Sequence, residues 1–251
     1  MICYKVGGSM VKLNRNQIKY VLIIAMLIDH IAWAFVPTES VLGQVMHFVG
    51  RLTGPAMAVL LAEGYYYTKN KKKYALRLFV FALVSWVPFC LFEFGEWPDI
   101  GLGVIFTLFL AFMVVWMWDQ LNIPAAFKVV LVILACILSI FGDWPIAGVL
   151  WALYAFIYRE NPKKKWISFC VIAGLLIGVM IWSGAVSPYT TAFETLKRDV
   201  FQFGIFMVPF LLTFFYSGEK GSNHPIHKWF FYIFYPGHLL ALYFIKLWLG
   251  Y

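Results

Sequence analysis

The stretch YVLIIAMLIDHIAWAFV, residues 20–36, decides how this chain folds. It is apolar over a length that nearly crosses the hydrocarbon core of a bilayer, since an α-helix rises about 1.5 Å per residue. Asp29 and His30 interrupt this stretch near its middle. A carboxylate at the centre of a membrane helix costs about 2.5–3.5 kcal/mol even on lenient insertion scales. We therefore expect Asp29 to face a partner or a water-filled cavity inside a helix bundle.

The composition of the whole chain also indicates a membrane protein. Of its 251 residues, 63% are hydrophobic and 13% are charged, whereas about a quarter of the residues are charged in soluble domains. Apolar runs leave no polar stretch long enough for a separate soluble domain. We predict a single integral membrane domain over residues 1–251, folded as an all-α polytopic bundle of about nine transmembrane helices. The predicted helices cover residues 20–36, 52–67, 74–92, 102–118, 126–141, 144–158, 166–182, 201–216 and 229–248.

The distribution of Lys and Arg predicts the orientation in the membrane. Alternate loops are strongly basic, as in TKNKKKYALR at residues 68–77, and the intervening loops carry mostly acidic residues. Because cytoplasmic loops are enriched in Lys and Arg, we predict a cytoplasmic N-terminus and a C-terminus on the opposite side of the membrane. The first apolar run is too long for the core of a signal peptide and is expected to be retained, whether translation starts at Met1 or Met10. The net charge of +8 follows from this topology and does not predict nucleic-acid binding.

The four cysteines predict neither a disulfide framework nor a metal site. Cys3, Cys90, Cys136 and Cys170 are scattered along the chain, and the sequence contains no CxxC or Cys/His spacing typical of zinc ligands. We predict that the protein holds no metal and no permanently bound cofactor.

Polar residues in three predicted helices share one depth. Counted along their helices, His30, Glu63 and His238 all lie near the bilayer midplane. A histidine beside a carboxylate in a desolvated bundle can exchange protons near neutral pH. These residues therefore predict a proton-handling site. The alternatives are structural hydrogen bonds between helices and, for His238, a bond to a carbonyl freed by Pro236.

Basic residues near the membrane surfaces allow two interpretations. Lys71, Lys72, Lys73 and Arg77 could form a cytoplasmic phosphate-binding entrance, because clustered cations hold polyphosphates well. They could equally be a topology signal that contacts anionic lipids. Arg51 is predicted at the outer boundary, where snorkelling of its side chain to the membrane surface is one explanation.

Several blocks of the sequence together resemble the TraX family of bacterial inner-membrane proteins. The blocks are IAMLIDHIAWAF, VGRLTGP, LLAEGYYYTKNKKKYALRLFVFALVSWVPF, IFTL and FYIFYPGHLLALY, in this order. They cover both ends of the chain and most of its first 110 residues. Trp86 and Gly103 depart from the family pattern, which often has Glu and Asn there.

The resemblance implies a chemical function. The named member of the family is linked to N-terminal acetylation of F-type conjugative pilin, and the family is distantly similar to multi-pass acyltransferases. It implies a membrane acetyltransferase that uses acetyl-CoA as co-substrate, with a pilin-like protein or a surface glycan as acceptor. The alternatives are a proton-coupled transporter or flippase, and a nonenzymatic assembly factor for a pilus or secretion machine.

The resemblance also assigns roles to residues of this sequence. His30 would be the general base, oriented by Asp29 or Glu63, with His238 as the second candidate base. Further residues would bind substrate: the phosphates of acetyl-CoA would lie near the basic loop, and the acceptor or the developing oxyanion would lie near Arg51 or Tyr235. The predicted binding residues are Arg51, Lys71, Lys72, Lys73, Arg77, Thr107 and Tyr235.

Overall fold

The structure is a computed structural model that describes residues 5–6, 9–10, 12–97 and 99–250. Met1 and Cys3 lie outside the described residues. A two-stranded antiparallel pair, Lys5–Val6 and Ser9–Met10, precedes the first helix. The α-helices are α1 (Arg15–Phe35), α2 (Val41–Gly50), α3 (Thr53–Tyr67), α4 (Lys71–Phe94), α5 (Gly103–Gln120), α6 (Ala125–Leu138), α7 (Ala147–Ile157), α8 (Pro162–Val186), α9 (Ala192–Arg198), α10 (Met207–Phe214) and α11 (Pro225–Leu249). Two 3₁₀ turns cover Ser139–Phe141 and Val200–Phe206.

The predicted all-α transmembrane bundle is confirmed. In the described part of the chain, six helical segments are long and apolar enough to cross a membrane: α1, α4, α5, α8, α11, and α2 with α3 taken together. Three shorter apolar helices, at Ala125–Phe141, Ala147–Ile157 and Val200–Phe214, occupy the remaining predicted segments. The number of nine crossings and the cytoplasmic N-terminus stay predictions.

The helix α2 was not predicted, because it is short and follows a break at Pro37. The Ser40 hydroxyl caps α2 by accepting a hydrogen bond from the N–H of Gly43 at 3.0 Å. At the other end of α2, Gly50 lies directly against α1, where an added Cβ would stand 2.3 Å from the Cβ of Asp29. Only a glycine allows this approach, which brings the end of α2 onto the polar middle of α1.

Contacts between helix ends show that the basic loops meet at one end of the bundle. At the start of α1, Arg15 bonds to Glu63 near the end of α3, and its guanidinium lies 5.2 Å from the centre of the Tyr67 ring. At the start of α4, Lys71 lies 3.5 Å from Asp119 at the end of α5. We call this end, where α1, α4, α8 and α11 begin, the basic end.

The segment before α11 is also fastened to the basic end. The N–H of Leu13 donates to the carbonyl of Phe215 at 2.7 Å, and the side chain of Asn16 donates to the carbonyl of Ser222 at 2.8 Å. The Tyr20 hydroxyl lies 2.9 Å from Nδ1 of His227 in α11. These bonds place the start of α11 beside the start of α1.

A shared apolar core holds the long helices together. Buried residues of α1, α3, α4, α5, α7, α8, α10 and α11 form one hydrophobic cluster. α6 lies at the edge of the bundle, since Val132 is its only buried residue. The remaining apolar side chains of α6 are available to contact lipid.

Thiol labelling tests the orientation of the basic end. Lys163 is exposed in the first turn of α8, next to the basic loop, and Tyr189, which is 91% exposed, follows the far end of the same helix. In a cysteine-free background, we expect a membrane-impermeant maleimide to label Tyr189→Cys in intact cells and Lys163→Cys only after permeabilisation, because the positive-inside rule predicts that the basic loops are cytoplasmic. The reverse labelling pattern would show that the predicted orientation is wrong.

Candidate active site

A cavity of about 640 Å³ runs along the interior of the bundle. Its walls come from α1, α3, α4, α5 and α11, together with the end of α2, the turn after it and the loops before α4, α7 and α11. Tyr74 and Glu93 both line it, and at 1.5 Å per residue their separation along α4 is about 28 Å. This volume lies in the range typical of small-molecule sites. The cavity therefore extends from the basic end most of the way to the opposite end.

Charges divide the cavity into two parts. Cationic side chains of five segments line its basic end: Arg15, Lys19, Lys69, Arg77, Lys220 and Lys228. Carboxylates line the deeper part, where Asp29, Glu93 and Asp143 surround the single guanidinium of Arg51. An anionic ligand is thus favoured at the basic end and a cationic one at the opposite end.

Arg15 is held in the cavity wall by a polar cluster that includes Glu63. Arg15 donates to the Glu63 carboxylate at 2.5 Å, and the hydroxyl of Tyr216 donates to the same oxygen at 2.6 Å. Glu63 therefore binds Arg15 and Tyr216 at the basic end and does not contact His30. This corrects the prediction that Glu63 orients the base. Glu63 lies four residues before the end of α3, at the depth of Arg15 and not of His30, so the helix count placed it too deep in the bundle.

The predicted lysine cluster is only partly at the cavity. Among the described lining residues, Arg77 is present, with its guanidinium 5.3 Å from the Tyr74 ring centre and its buried Nε without a hydrogen-bond partner in the described chain. Lys71 instead stacks 4.5 Å above the Tyr65 ring and approaches Asp119. Lys71, Lys72 and Lys73 are absent from that lining. The basic end of the cavity is instead lined by cations of other segments, including Arg15, Lys19, Lys220 and Lys228. Their spacing in the sequence did not predict that they would lie close together.

Asp29 meets the end of α2 rather than His30. One carboxylate oxygen lies 2.8 Å from Nδ1 of His47, and the other accepts from Arg51 at 2.5 Å. Arg51 does not snorkel to the membrane surface, because its side chain is 13% exposed and turns to Asp29. Its guanidinium also lies 5.0 Å from the Trp144 ring and 5.3 Å from the Phe201 ring. A buried carboxylate is stable when paired and hydrogen-bonded in this way.

His47, which was not among the predicted site residues, is fully buried. Its ring packs between Trp33 and Phe201, with ring centres 4.2 and 5.0 Å away. Because Nδ1 faces Asp29, this nitrogen carries the proton and donates it to the carboxylate. His47 therefore fixes Asp29 from the side opposite the cavity.

His30 lines the cavity and is paired with His238, as their common depth predicted. Nδ1 of His30 lies 2.9 Å from the carbonyl of Met26, and Nε2 of His238 lies 3.3 Å from the same His30 nitrogen. Nδ1 of His238 bonds to the carbonyl of Phe234 at 2.8 Å. Pro236 has no N–H and therefore frees the carbonyl of Tyr232, not that of Phe234. The alternative that His238 bonds to the carbonyl freed by Pro236 is therefore wrong.

Tyr235 and Thr107 lie where the start of α5 meets α11. The Tyr235 hydroxyl oxygen accepts the N–H of Val104 at 3.3 Å, and Tyr235 lines the cavity. Gly103 has a φ of 67°, and a Cβ on it would stand 2.7 Å from that hydroxyl. Gly103, one of the two departures from the TraX pattern, thus lets Tyr235 approach α5. Thr107 is buried behind the wall and donates to the carbonyl of Asp143 at 2.5 Å.

The second departure, Trp86, points away from this region. Its indole N–H donates to the carbonyl of Asp99 at 2.7 Å, and its ring lies against Trp97 with centres 5.9 Å apart. Among the described residues, Trp86 is not in the cavity wall. It closes the loop after α4 instead.

Asp143 was missed by sequence analysis because it lies in a loop between two short helices. It lines the cavity, and its Oδ1 accepts the N–H of Trp144 at 2.9 Å. Trp144 and Ile146 adopt positive φ angles of 59° and 60°, an unfavourable conformation for such side chains. Desolvation raises the pKa of the Asp143 carboxyl, and the nearby Arg51 opposes this effect. Asp143 is therefore a candidate for exchanging protons with a bound ligand.

Within the described residues, no group of three or more His, Cys, Asp or Glu side chains is placed to hold a metal ion. Cys90, Cys136 and Cys170 are free thiols. The predictions that the protein holds no metal and no resident cofactor are not tested by this observation.

Comparison with known proteins identifies the family to which this chain belongs. A family model described as "TraX protein" matches residues 14–246. The chain is 31% identical over 238 residues to the probable fimbrial assembly protein FimC, serogroup H1, of Dichelobacter nodosus, which covers 90% of this chain and 93% of that protein. No solved structure matches. The predicted resemblance is confirmed over nearly the whole chain: this membrane protein belongs to the TraX family.

Proposed function

We propose that this protein is a membrane-embedded acetyltransferase. It would move an acetyl group from cytoplasmic acetyl-CoA to an amine or hydroxyl of a membrane or extracytoplasmic acceptor, such as a pilin-like protein or a surface glycan. The observation that carries the proposal is one continuous cavity, which joins a group of cations at the basic end to His30, Arg51 and carboxylates deeper in the bundle. Such a cavity suits two substrates that enter from opposite sides.

The basic end fits the donor. Acetyl-CoA carries its phosphates at one end and its thioester at the end of a long flexible arm. Six cations line the basic end, and clustered ammonium and guanidinium groups bind phosphate by charge-assisted hydrogen bonds. Along α1, His30 lies about 16 Å deeper than Lys19, which suits an extended pantetheine arm. The thioester would then lie beside His30.

His30 supports the proton transfer. Its Nδ1 faces the Met26 carbonyl, which can only accept a hydrogen bond, so the neutral ring carries its proton there and a lone pair at Nε2. Nε2 would take the proton of the acceptor amine or hydroxyl as that atom attacks the thioester carbonyl. When the intermediate collapses, the C–S bond breaks and the imidazolium returns the proton to the leaving thiolate.

Arg51 and Tyr235 fit the charge that develops on the carbonyl oxygen. Asp29 occupies one guanidinium nitrogen of Arg51, and its buried Nε has no partner among the described residues. The oxygen of the Tyr235 hydroxyl accepts from Val104, which leaves its proton to donate. Donors held in place before the reaction stabilise an oxyanion more effectively than water does.

Carboxylates at the far end of the cavity favour an amine acceptor. A protonated amine would be attracted to Asp143 and Glu93, which line that part of the cavity. An ammonium group must lose a proton before it can attack, and the raised pKa of Asp143 makes its carboxylate a suitable first acceptor. A hydroxyl acceptor has no comparable use for two carboxylates.

A nonenzymatic assembly factor is the second candidate. It is favoured by the name of the relative in Dichelobacter nodosus, a probable fimbrial assembly protein. In that case the cavity residues would be dispensable for pilus assembly, while the lipid-facing helices would contact partner proteins. Pilus assembly in cells that carry the His30→Ala variant separates the two candidates, because only the enzyme requires the imidazole.

Removal of the proposed base gives the first test of the chemistry. We expect purified His30→Ala, incubated with labelled acetyl-CoA and membrane extract, to transfer acetyl about 10²- to 10⁴-fold more slowly than the wild type. Ser183→Ala is the control, since this exposed serine on α8 bonds only to its own helix. Equal transfer by His30→Ala and the wild type would rule out His30 as the base.

Neutralising one cation at the basic end tests donor binding. A hydrogen bond to a charged group contributes about 1.5–3 kcal/mol, so we expect Arg77→Gln to raise the KM for acetyl-CoA by about tenfold or more, with kcat much less affected. Lys163→Gln, an equal change of charge at an exposed position in the first turn of α8, should leave KM unaltered. A larger effect of Lys72→Gln than of Arg77→Gln would favour the original lysine cluster over the cations that line the cavity.

Loss of the Asp29 charge tests the buried ion pair. We expect Asp29→Asn to lower the free energy of unfolding in detergent by about 3–5 kcal/mol, because Arg51 would be left buried without its counterion. Glu160→Gln is the matched control: Glu160 pairs with Arg159 at 3.4 Å, and both side chains are exposed. That pair should contribute about 1 kcal/mol at most. Equal effects of the two substitutions would contradict the importance of Asp29 for stability.

A further inference from the structure

The two histidines in the bundle are arranged asymmetrically around the cavity. His30 lines the cavity, whereas His238 is 7% exposed and is not part of the described cavity wall. Their rings meet edge to face, with centres 4.9 Å apart and planes at 71°. His238 therefore stands behind His30 as seen from a ligand.

The hydrogen bonds fix where the ring protons lie. Each ring places Nδ1 near a backbone carbonyl one helical turn earlier, at 2.9 Å for His30 and 2.8 Å for His238. A carbonyl oxygen cannot donate, so both Nδ1 atoms must carry protons. Nε2 of His238 then carries a lone pair in the neutral ring. It lies 3.3 Å from the protonated Nδ1 of His30.

We infer that His238 is a positioning residue that acts through His30 and never receives the proton of the acceptor itself. This inference rests on the proposed acetyl transfer. A second proton on His238 would have to occupy Nε2, where it would face the N–H of His30. A proton on Nε2 of His30 meets no such obstacle. During the reaction, the proton of the acceptor is therefore taken up by His30, and His238 only accepts a hydrogen bond from the Nδ1–H of His30.

Neighbouring side chains hold His238 in this role. The Phe234 ring stacks on it with centres 5.0 Å apart and planes at 12°, and the Phe92 ring meets the edge of His30 at 5.4 Å. As Nε2 of His30 gains a proton, its Nδ1–H becomes a stronger donor to the Met26 carbonyl and to Nε2 of His238. His238 thus stabilises the imidazolium and keeps the ring turned with Nε2 free.

Two substitutions of His238 separate positioning from base catalysis. The side-chain oxygen of glutamine can take the place of Nε2 as an acceptor but cannot take up a proton, and leucine can do neither. We expect His238→Leu to lower kcat about 10- to 100-fold, as for lost partners of other functional histidines, with the KM for acetyl-CoA unchanged. His238→Gln should restore most of the activity. Thermal stability in detergent is measured for both variants, because a purely structural role would alter stability and leave kcat unaltered.

The results have distinct meanings. If His238→Gln is as inactive as His30→Ala, His238 is itself a base and the inference fails. If His238→Leu keeps wild-type kcat, His238 has no part in the reaction and the inference also fails. The ¹⁵N NMR shifts of the histidine rings, assigned by difference spectra of His30→Ala and His238→Leu, give a readout independent of activity. Nδ1–H tautomers for both rings are expected, and an Nε2–H tautomer of His238 would overturn the arrangement even if no acetyl transfer were found in the wild type.

Discussion

The ion pair of Asp29 with Arg51 is the constraint on which the arrangement of the cavity depends. A carboxylate in the middle of a membrane helix must be paired, and its pairing partners come from α2 and the turn after it. Gly50 allows α2 to lie on α1 closely enough for this contact. With both oxygens of Asp29 engaged, the adjacent His30 turns instead to the Met26 carbonyl and to His238. The need to pair the buried Asp29 carboxylate thereby places the Arg51 guanidinium and the His30 imidazole beside the same cavity.

The opposite charges at the two ends of the cavity result from the hydrogen bonds and ion pairs that hold the ends of the helices together. At the basic end, Glu63 and Tyr216 hold Arg15 in the wall, and backbone bonds between residues 13–15 and 215–219 bring the loop with Lys220 over it. At the far end, Asp143 is placed by Thr107 and by the strained backbone around Trp144. Such strain persists only where the surrounding packing enforces it, and it is common at functional sites.

The sequence predicted the helices well and the surroundings of single polar residues less well. Apolar runs identified the helical segments, and helix counting placed His30 and His238 together, because both lie in long regular helices. The same counting put Glu63 at the depth of His30, although Glu63 lies near the end of α3 and pairs with Arg15. It also left out α2, because that helix is short and exposes most of its apolar residues. The direction in which a side chain faces depends on helix rotation and loop closure, which the sequence pattern does not specify.

The closed hydrogen bonding of the two histidines bears on the choice between acetyl transfer and proton transport. A proton relay across a membrane needs a chain of groups that can each give up and regain a proton in turn. Here both Nδ1 protons are committed to backbone carbonyls, and the remaining lone pair of His238 is directed back at His30. A proton taken up by His30 therefore has no onward step through His238 and must return to the cavity. This is what a general base does, since it takes up a proton and releases it again during group transfer. It is not what a proton-conducting pathway across the membrane requires.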